Sequence, residues 1–208
     1  MTIKVLNLYA GIGGNRKLWE KVDVTAVEFN DQRANIYADF FPNDTVVIED
    51  AHQYLVKHYN EYDFIWSSPP CPTHSRVRFA TACSDHPVDH VYPDMTLYQE
   101  IIFLEKVFSG DYVVENVWSW YDPLITPQRV GKHYFWANFH IPKKDLPHEN
   151  HMGTISELQK IKGFDLSDYD LTKEQKYKIL RNCIPPDLGL HIFKAAFEQT
   201  QLTWGDML

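Results

Sequence analysis

A cysteine held behind two prolines has the means to do covalent chemistry in this chain. Cys71 closes the run Ser67-Ser68-Pro69-Pro70. Fixed proline φ angles would present its sulfur rigidly, and a thiolate there would be a nucleophile. Glu115-Asn116-Val117 ends a later apolar run, so a carboxyl could face Cys71 across a substrate. Taken singly, each residue has an ordinary alternative: a small buried apolar residue for the cysteine, a solvated carboxylate for the glutamate. A third group precedes both. Asn7-Leu8-Tyr9-Ala10-Gly11-Ile12-Gly13-Gly14 passes from an apolar run into a glycine turn, which permits close approach of backbone to a ligand. Glu28 ends the next run, where its carboxylate could accept from both hydroxyls of a ribose. Asp50 follows the third, where an adenine amino group would lie. No Gly-Lys-Ser/Thr follows the glycines, so a triphosphate loop is not indicated and a dinucleotide or S-adenosylmethionine remains.

These groups need a scaffold that brings strand ends together. Short apolar runs alternate with amphipathic stretches over the first two thirds of the chain, the pattern of an α/β fold. Strands are expected over Ile3–Tyr9, Val24–Phe29, Thr45–Ile48, Phe64–Ser67 and Tyr112–Val117, with a strand-like His133–His140. Helices are expected over Asn15–Val22, after Asp31 as cap with Ile36, Tyr37 and Phe40 on one face, near Gln53–Tyr59, over Thr96–Phe108, and from Pro186 through Ile192, Ala195, Ala196 and Gln199. Arg76–Pro93 reads as a long loop, and Pro142–Tyr177 as a polar appendage.

The length of 208 residues allows one large domain, or one with a small addition. With 44% hydrophobic and 23% charged residues the composition is globular. No membrane-length apolar run occurs, and Met1 leads directly into a strand without a leader pattern, so a soluble intracellular, cytoplasmic protein is expected. Cys71, Cys83 and Cys183 form no disulfide framework or zinc cluster. Twenty basic against 28 acidic residues leave a net charge of −8, which argues against a large nonspecific nucleic-acid surface but permits a local basic cleft.

The ordered motifs resemble the cytosine carbon-5 DNA methyltransferases, which use S-adenosylmethionine. Leu6 to Gly14 is similar to that family's Asp-x-Phe-x-Gly-x-Gly-Gly, Pro69-Pro70-Cys71 to its catalytic Pro-Pro-Cys, and Glu115-Asn116-Val117 to its Glu-Asn-Val. Arg181-Asn182-Cys183-Ile184-Pro185-Pro186 resembles its Gly-Asn-x-Val-Pro. The resemblance implies a Rossmann-like methyltransferase sheet spanning residues 1–141, a reduced target-recognition segment over 142–180, and a segment over 181–208 that returns to the cofactor pocket. It implies that Cys71, Glu115, Asn116 and Lys132 are catalytic. S-adenosylmethionine would be held by Tyr9, Ala10, Gly11, Ile12, Gly13, Gly14, Glu28, Phe29, Asp50, Ala51, Pro69, Asn182 and Cys183. Ser75, Arg76, Arg78 and Arg129 would contact DNA, the expected partner. A monomer without an obligate protein partner is expected, of a size that suits phage or restriction-modification enzymes.

The departures from the family pattern also shape expectations. Asn7 replaces the first-motif aspartate, and Tyr9 replaces phenylalanine while keeping an aromatic face for adenine. Pro72-Thr73-His74-Ser75 stands where Gln-Pro-Phe-Ser is usual. In Gln128-Arg129-Val130-Gly131-Lys132 the lysine stands at the second arginine of Gln-x-Arg-x-Arg, with Arg129 as competitor. Arg181 replaces a glycine, which would add a cation near the cofactor and raises the alternative of carboxymethyl transfer. RNA cytosine as substrate, or a catalytically silent DNA-binding homologue, are further alternatives. Lys143, Lys144, Lys160 and Lys162 are candidate phosphate contacts or a solvated face. His74, His86 and His90 lack a metal-type spacing, and Trp118 and Trp120 read as packing rather than base-stacking residues.

Overall fold

The computed structural model describes residues 2–82, 89–144 and 153–205. Five apolar runs form parallel strands: β1 (Ile3–Leu8), β2 (Val22–Val27), β3 (Thr45–Val47), β4 (Phe64–Ser67) and β5 (Asp111–Val117). A hairpin of β6 (Gln128–Val130) and β7 (His133–Ala137) extends the sheet, β7 lying antiparallel to β5. The strand order is β3-β2-β1-β4-β5-β7-β6. From β1 the chain runs outward to β3, then returns to β4 and runs the other way. That reversal opens a crevice at the carboxyl ends of β1 and β4, where Gly11 and Cys71 follow.

Alternation along each strand divides the core. Val5, Val24, Trp66, Val113 and Phe135 face α7 (Pro186–Gly205), which inserts Leu188, Ile192 and Phe193. Leu6, Leu8, Val27, Ile65 and Val114 face α2 (Ala51–His58) and α4 (Thr96–Val107), which supply Leu55, Leu97, Ile101 and Leu104. Strands buried on both faces are what an all-apolar reading of these runs requires.

Several elements differ from expectation. Residues 15–18 form turns rather than a helix, and Val22 already belongs to β2. Asn15 is committed to Asn7, Arg16 to Asp44, and Trp19 turns into the core, stacking on Phe193 at 4.8 Å with its indole N–H on the Gly189 carbonyl. Lys21, at φ 57, ends any helical path. The helix α1 (Asp31–Phe40) is capped by Asn30, not Asp31: the Asn30 side chain accepts from the Arg33 amide. The stretch read as a loop begins with α3 (Arg76–Ala82). The last strand stops at Ala137, with Phe139 and Ile141 buried beyond it.

The polar stretch after Pro142 holds two helices, α5 (Ile155–Lys162) and α6 (Lys173–Asn182), each begun by a capping box, at Thr154 and Thr172. Their apolar residues Leu158, Phe164, Leu166 and Leu180 pack with Ile12 and Ile36, so this segment shares a core with α1 and the glycine turn. Lys17 reinforces the junction, its ammonium 4.0 Å from the Phe164 ring. Lys162 is 1% exposed; its charge is turned inward, and it cannot be the phosphate contact expected of it.

Candidate active site

The glycine turn divides its labour among three residues. Gly13, at φ 84, lies against the rings of Tyr37 and Phe41. Gly14 lies where a Cβ would collide with the Cys183 sulfur and the Ile184 carbonyl. Both are packing positions, and the second shows the 181–186 segment returning over the turn. Gly11, at φ 57, faces open space, which leaves its backbone approachable. Tyr9 also takes a positive φ, 55, a conformation costly to a residue with a side chain. Ala10, Ile12 and Ala51 are buried beneath the turn and the start of α2.

Glu28 reaches back to this turn. Its Oε2 accepts from the Gly11 amide at 3.0 Å; its Oε1 accepts from the Asn30 amide at 2.9 Å and meets the Arg33 guanidinium at 3.2 Å. A carboxylate offers about four acceptor positions, so roughly one remains for a ligand hydroxyl while Arg33 stays. Asp50 caps α2 through Oδ1, accepting from the Gln53 amide. Phe29 is 74% exposed and Ile48 is 52% exposed just past the ends of adjacent strands. An open glycine backbone, a buried carboxylate beside it and two uncovered apolar side chains fit an adenosine-bearing ligand.

Beneath Tyr9 lies a polar network that sequence reading missed. Glu100, on α4 and fully buried, takes the Tyr9 hydroxyl at 2.6 Å and His52 Nδ1 at 3.0 Å on Oε1, and the Ser67 hydroxyl at 2.5 Å on Oε2. Tyr9 thus presents its ring with the hydroxyl anchored; burial, then the Glu100 charge, drives its pKa upward. His52 is shifted up, chiefly by its bond to Glu100. Glu100 falls on the apolar stripe Leu97, Ile101, Leu104; a charged residue inside such a stripe was the available signal. Asn7, the departure from the first motif, is fully buried and paired with Asn15, so its amide serves the turn.

Cys71 begins a tight turn whose carbonyl accepts from the amides of His74 and Ser75 at 3.0 Å. Pro69 before it is buried, and its carbonyl accepts from Asn116 Nδ2 at 3.0 Å, which ties the cysteine loop to the end of β5. The thiol pKa is pushed up to about 11, first by burial and then by the Glu115 charge, with Arg181 acting in the opposite direction. Cysteine, carboxyl and the Arg181 cation therefore share one electrostatic environment. Glu115 is itself buried, and its Oε1 lies 2.7 Å from His133 Nδ1.

The β6–β7 turn places Lys132 in solvent, and its backbone carbonyl accepts from the Trp118 amide. The ring that meets the carboxylate belongs to His133, one residue further. Finding it required the pairing of β5 with β7, in which Glu115 stands opposite Phe135 and His133 lies two residues along the same face.

The cysteine loop is pinned to residues 118–121. Ser75 bridges Ser119, the Trp120 indole donates to the Thr73 carbonyl at 3.0 Å, and buried His74 meets the Tyr121 hydroxyl at 2.6 Å. Arg76 and Arg129 both lie over Trp118, at 4.1 and 3.8 Å from the ring. Arg78 donates to the Asp89 carbonyl. Asn182 is exposed, and Cys183 is buried under Gly14. Lys143 and Lys160 are exposed; Lys144 donates to the Asp187 carbonyl. Cys83 and His86 lie outside the described residues. Among those described, no helix is long and apolar enough to cross a membrane.

Comparison with known proteins bears on the same regions. Residues 3–102 match the family model of the C-5 cytosine-specific DNA methylases. No curated protein sequence matches the chain. Among solved structures, a methyltransferase of Entamoeba histolytica, EhMeth, is similar with a TM-score of 0.58 at 12% identity, covering 96% of this chain and 99% of its own. A mutant of Spodoptera frugiperda DNMT2 aligns at 27% identity over 55% of this chain and 35% of its own, with a TM-score of 0.37. The first of these likenesses establishes the fold over nearly the whole chain.

Proposed function

We propose that this chain, whose residues 3–102 match the C-5 cytosine-specific DNA methylases and whose fold resembles a methyltransferase, uses S-adenosylmethionine to modify carbon 5 of cytosine in DNA through a covalent adduct on Cys71. The observation that carries the reading is the coupling of Cys71 to Glu115 at the ends of adjacent strands. Cytosine carbon 5 is a weak nucleophile. Attack of a thiolate on carbon 6, with a proton delivered to ring nitrogen 3, would make carbon 5 electron-rich. S-adenosylmethionine, when bound, supplies the activated methyl group that such a carbon takes up. Loss of the carbon-5 proton to solvent base then allows the carbon–sulfur bond to break with the sulfur leaving as thiolate, and ring nitrogen 3 returns its proton to Glu115, restoring the aromatic ring.

The side chains divide this work. A thiol with a pKa near 11 is ionised to roughly one part in ten thousand at pH 7. Moving its proton to Glu115 would remove the negative charge that opposes the thiolate. The same transfer would leave Glu115 as the neutral acid that ring nitrogen 3 needs. His133 holds one carboxyl oxygen, so the other can turn to the base. Asn116 fixes the cysteine loop through Pro69. Gly11, Glu28, Phe29 and Asp50 would hold the cofactor. The target carbon is inaccessible within a stacked duplex, so the cytosine must be turned out into the crevice. Exposed Trp120, whose indole donates to the Thr73 carbonyl of the cysteine loop, and exposed Val77, in α3 just after that loop, could fill the space the base vacates.

The test is covalent capture. With S-adenosylmethionine present, DNA carrying 5-fluorocytosine should form a denaturation-resistant adduct with the protein, and Cys71→Ala should form none. Absence of an adduct, or one that survives Cys71→Ala, would refute the mechanism. Capture of 5-fluorocytosine RNA in preference to DNA would reassign the substrate.

A further inference from the structure

We propose that Arg76 and Arg129, held by the indole of Trp118, form a paired phosphate clamp on the rim of the site, each gripping one backbone phosphate of the strand that carries the target base. The inference rests on the cytosine-methyltransferase reading and adds how that substrate is held. The two guanidinium carbons lie 4.1 and 3.8 Å from the Trp118 ring. Two planar cations that close to one ring cannot share a face, so the indole is sandwiched between them. With both faces covered, Trp118 has none left for a base.

The arrangement joins all three catalytic segments. Arg76 starts α3, five residues beyond Cys71 and next to the Ser75–Ser119 bridge. Trp118 follows Asn116 and Val117. Arg129 lies on β6, whose neighbour Val130 pairs with His133, the partner of Glu115. Among the described residues, neither guanidinium forms an ion pair with a carboxylate. The indole π-faces favour each cation, but the two charges repel, and the protein as a whole carries −8. Two successive backbone phosphates, one received by each arginine, would offset that repulsion. Arg129 spends its Nε–H on the Gly131 carbonyl at 3.2 Å, which leaves its terminal nitrogens; stacked guanidinium groups keep such edges for phosphate oxygens, which they bind in a directional manner. Such contacts set the register of the strand without reading its sequence.

The experiment measures binding to a short mixed-sequence DNA duplex by fluorescence anisotropy at stepped salt concentrations, for the wild-type protein, Arg76→Gln, Arg129→Gln and the double variant. Each lost phosphate contact should reduce the slope of log K against log salt by about 0.9, so the double variant should fall short of wild type by about 1.8. Trp118→Ala should lose part of the slope and Trp118→Phe should keep it, with circular dichroism confirming that each variant is folded. A slope unchanged in the double variant overturns the clamp. Covalent capture on 5-fluorocytosine DNA, run in parallel, keeps the two readings apart. Capture with an unchanged slope sinks the clamp alone, whereas a reduced slope without capture leaves the clamp standing and sinks the chemistry.

Discussion

Glu100 and Glu115 are both carboxylates withdrawn from water, yet their surroundings set them to different tasks. Glu100 engages a tyrosine and a histidine on one oxygen and a serine on the other, so both oxygens are committed to the protein itself. Glu115 engages His133 through Oε1, and among the described residues Oε2 has no partner while the charge is felt at Cys71. A buried carboxylate bonded through both oxygens binds elements together. One left half committed beside a thiol retains the freedom to exchange a proton.

Substitution should separate the two sharply. Glu115→Gln keeps the shape and removes the acid, and should lower the transfer rate by about 10²–10⁴ while thermal unfolding stays close to wild type. Glu100→Ala should do the reverse. It strands Tyr9, His52 and Ser67 around an unfilled site at a cost of about 3–5 kcal/mol, visible as a melting temperature lowered by roughly 10 °C. If the two variants show the same balance of activity and stability loss, the distinction drawn between these carboxylates is wrong.

Smaller effects sharpen it. His133→Ala removes one charge-assisted hydrogen bond and should slow transfer about tenfold to a hundredfold, with partial recovery in His133→Gln; equal losses in both would remove His133 from its positioning role. The smallest effect belongs to His52. Its pKa is raised in the folded state by Glu100, so its stabilising contribution is complete below the unfolded value near 6.5 and fades as pH rises through the higher folded value. Urea midpoints of wild type and His52→Asn should therefore converge from pH 5 toward alkaline pH. A gap that widens with pH would reverse the sign of this linkage.

The sheet was legible because its strands are short, apolar and punctuated by glycine and proline, and because each motif fell at a strand end. Residues 15–22 misled because their apolar spacing suits a helix, while Trp19 and Arg16 are drawn to partners far along the chain. The segment after Pro142 looked polar because its apolar residues are spread over two short helices that complete a core only with Ile12 and Ile36. In the site, Cys71, Glu115 and the glycine turn could be read from local motifs. His133, Glu100 and the Trp118 sandwich could not, since each depends on register or packing between distant segments.

The account stands most directly on the control of the Cys71 sulfur by the Glu115 carboxylate, which alkylation can measure without substrate or cofactor. Iodoacetamide labelling of Cys71, followed by peptide mass spectrometry across pH, should give a titration near 11 in the wild-type protein. In Glu115→Gln the profile should move to lower pH, with faster labelling at pH 8. An unchanged profile in Glu115→Gln would contradict the coupling of thiol and carboxyl on which the proposed mechanism depends.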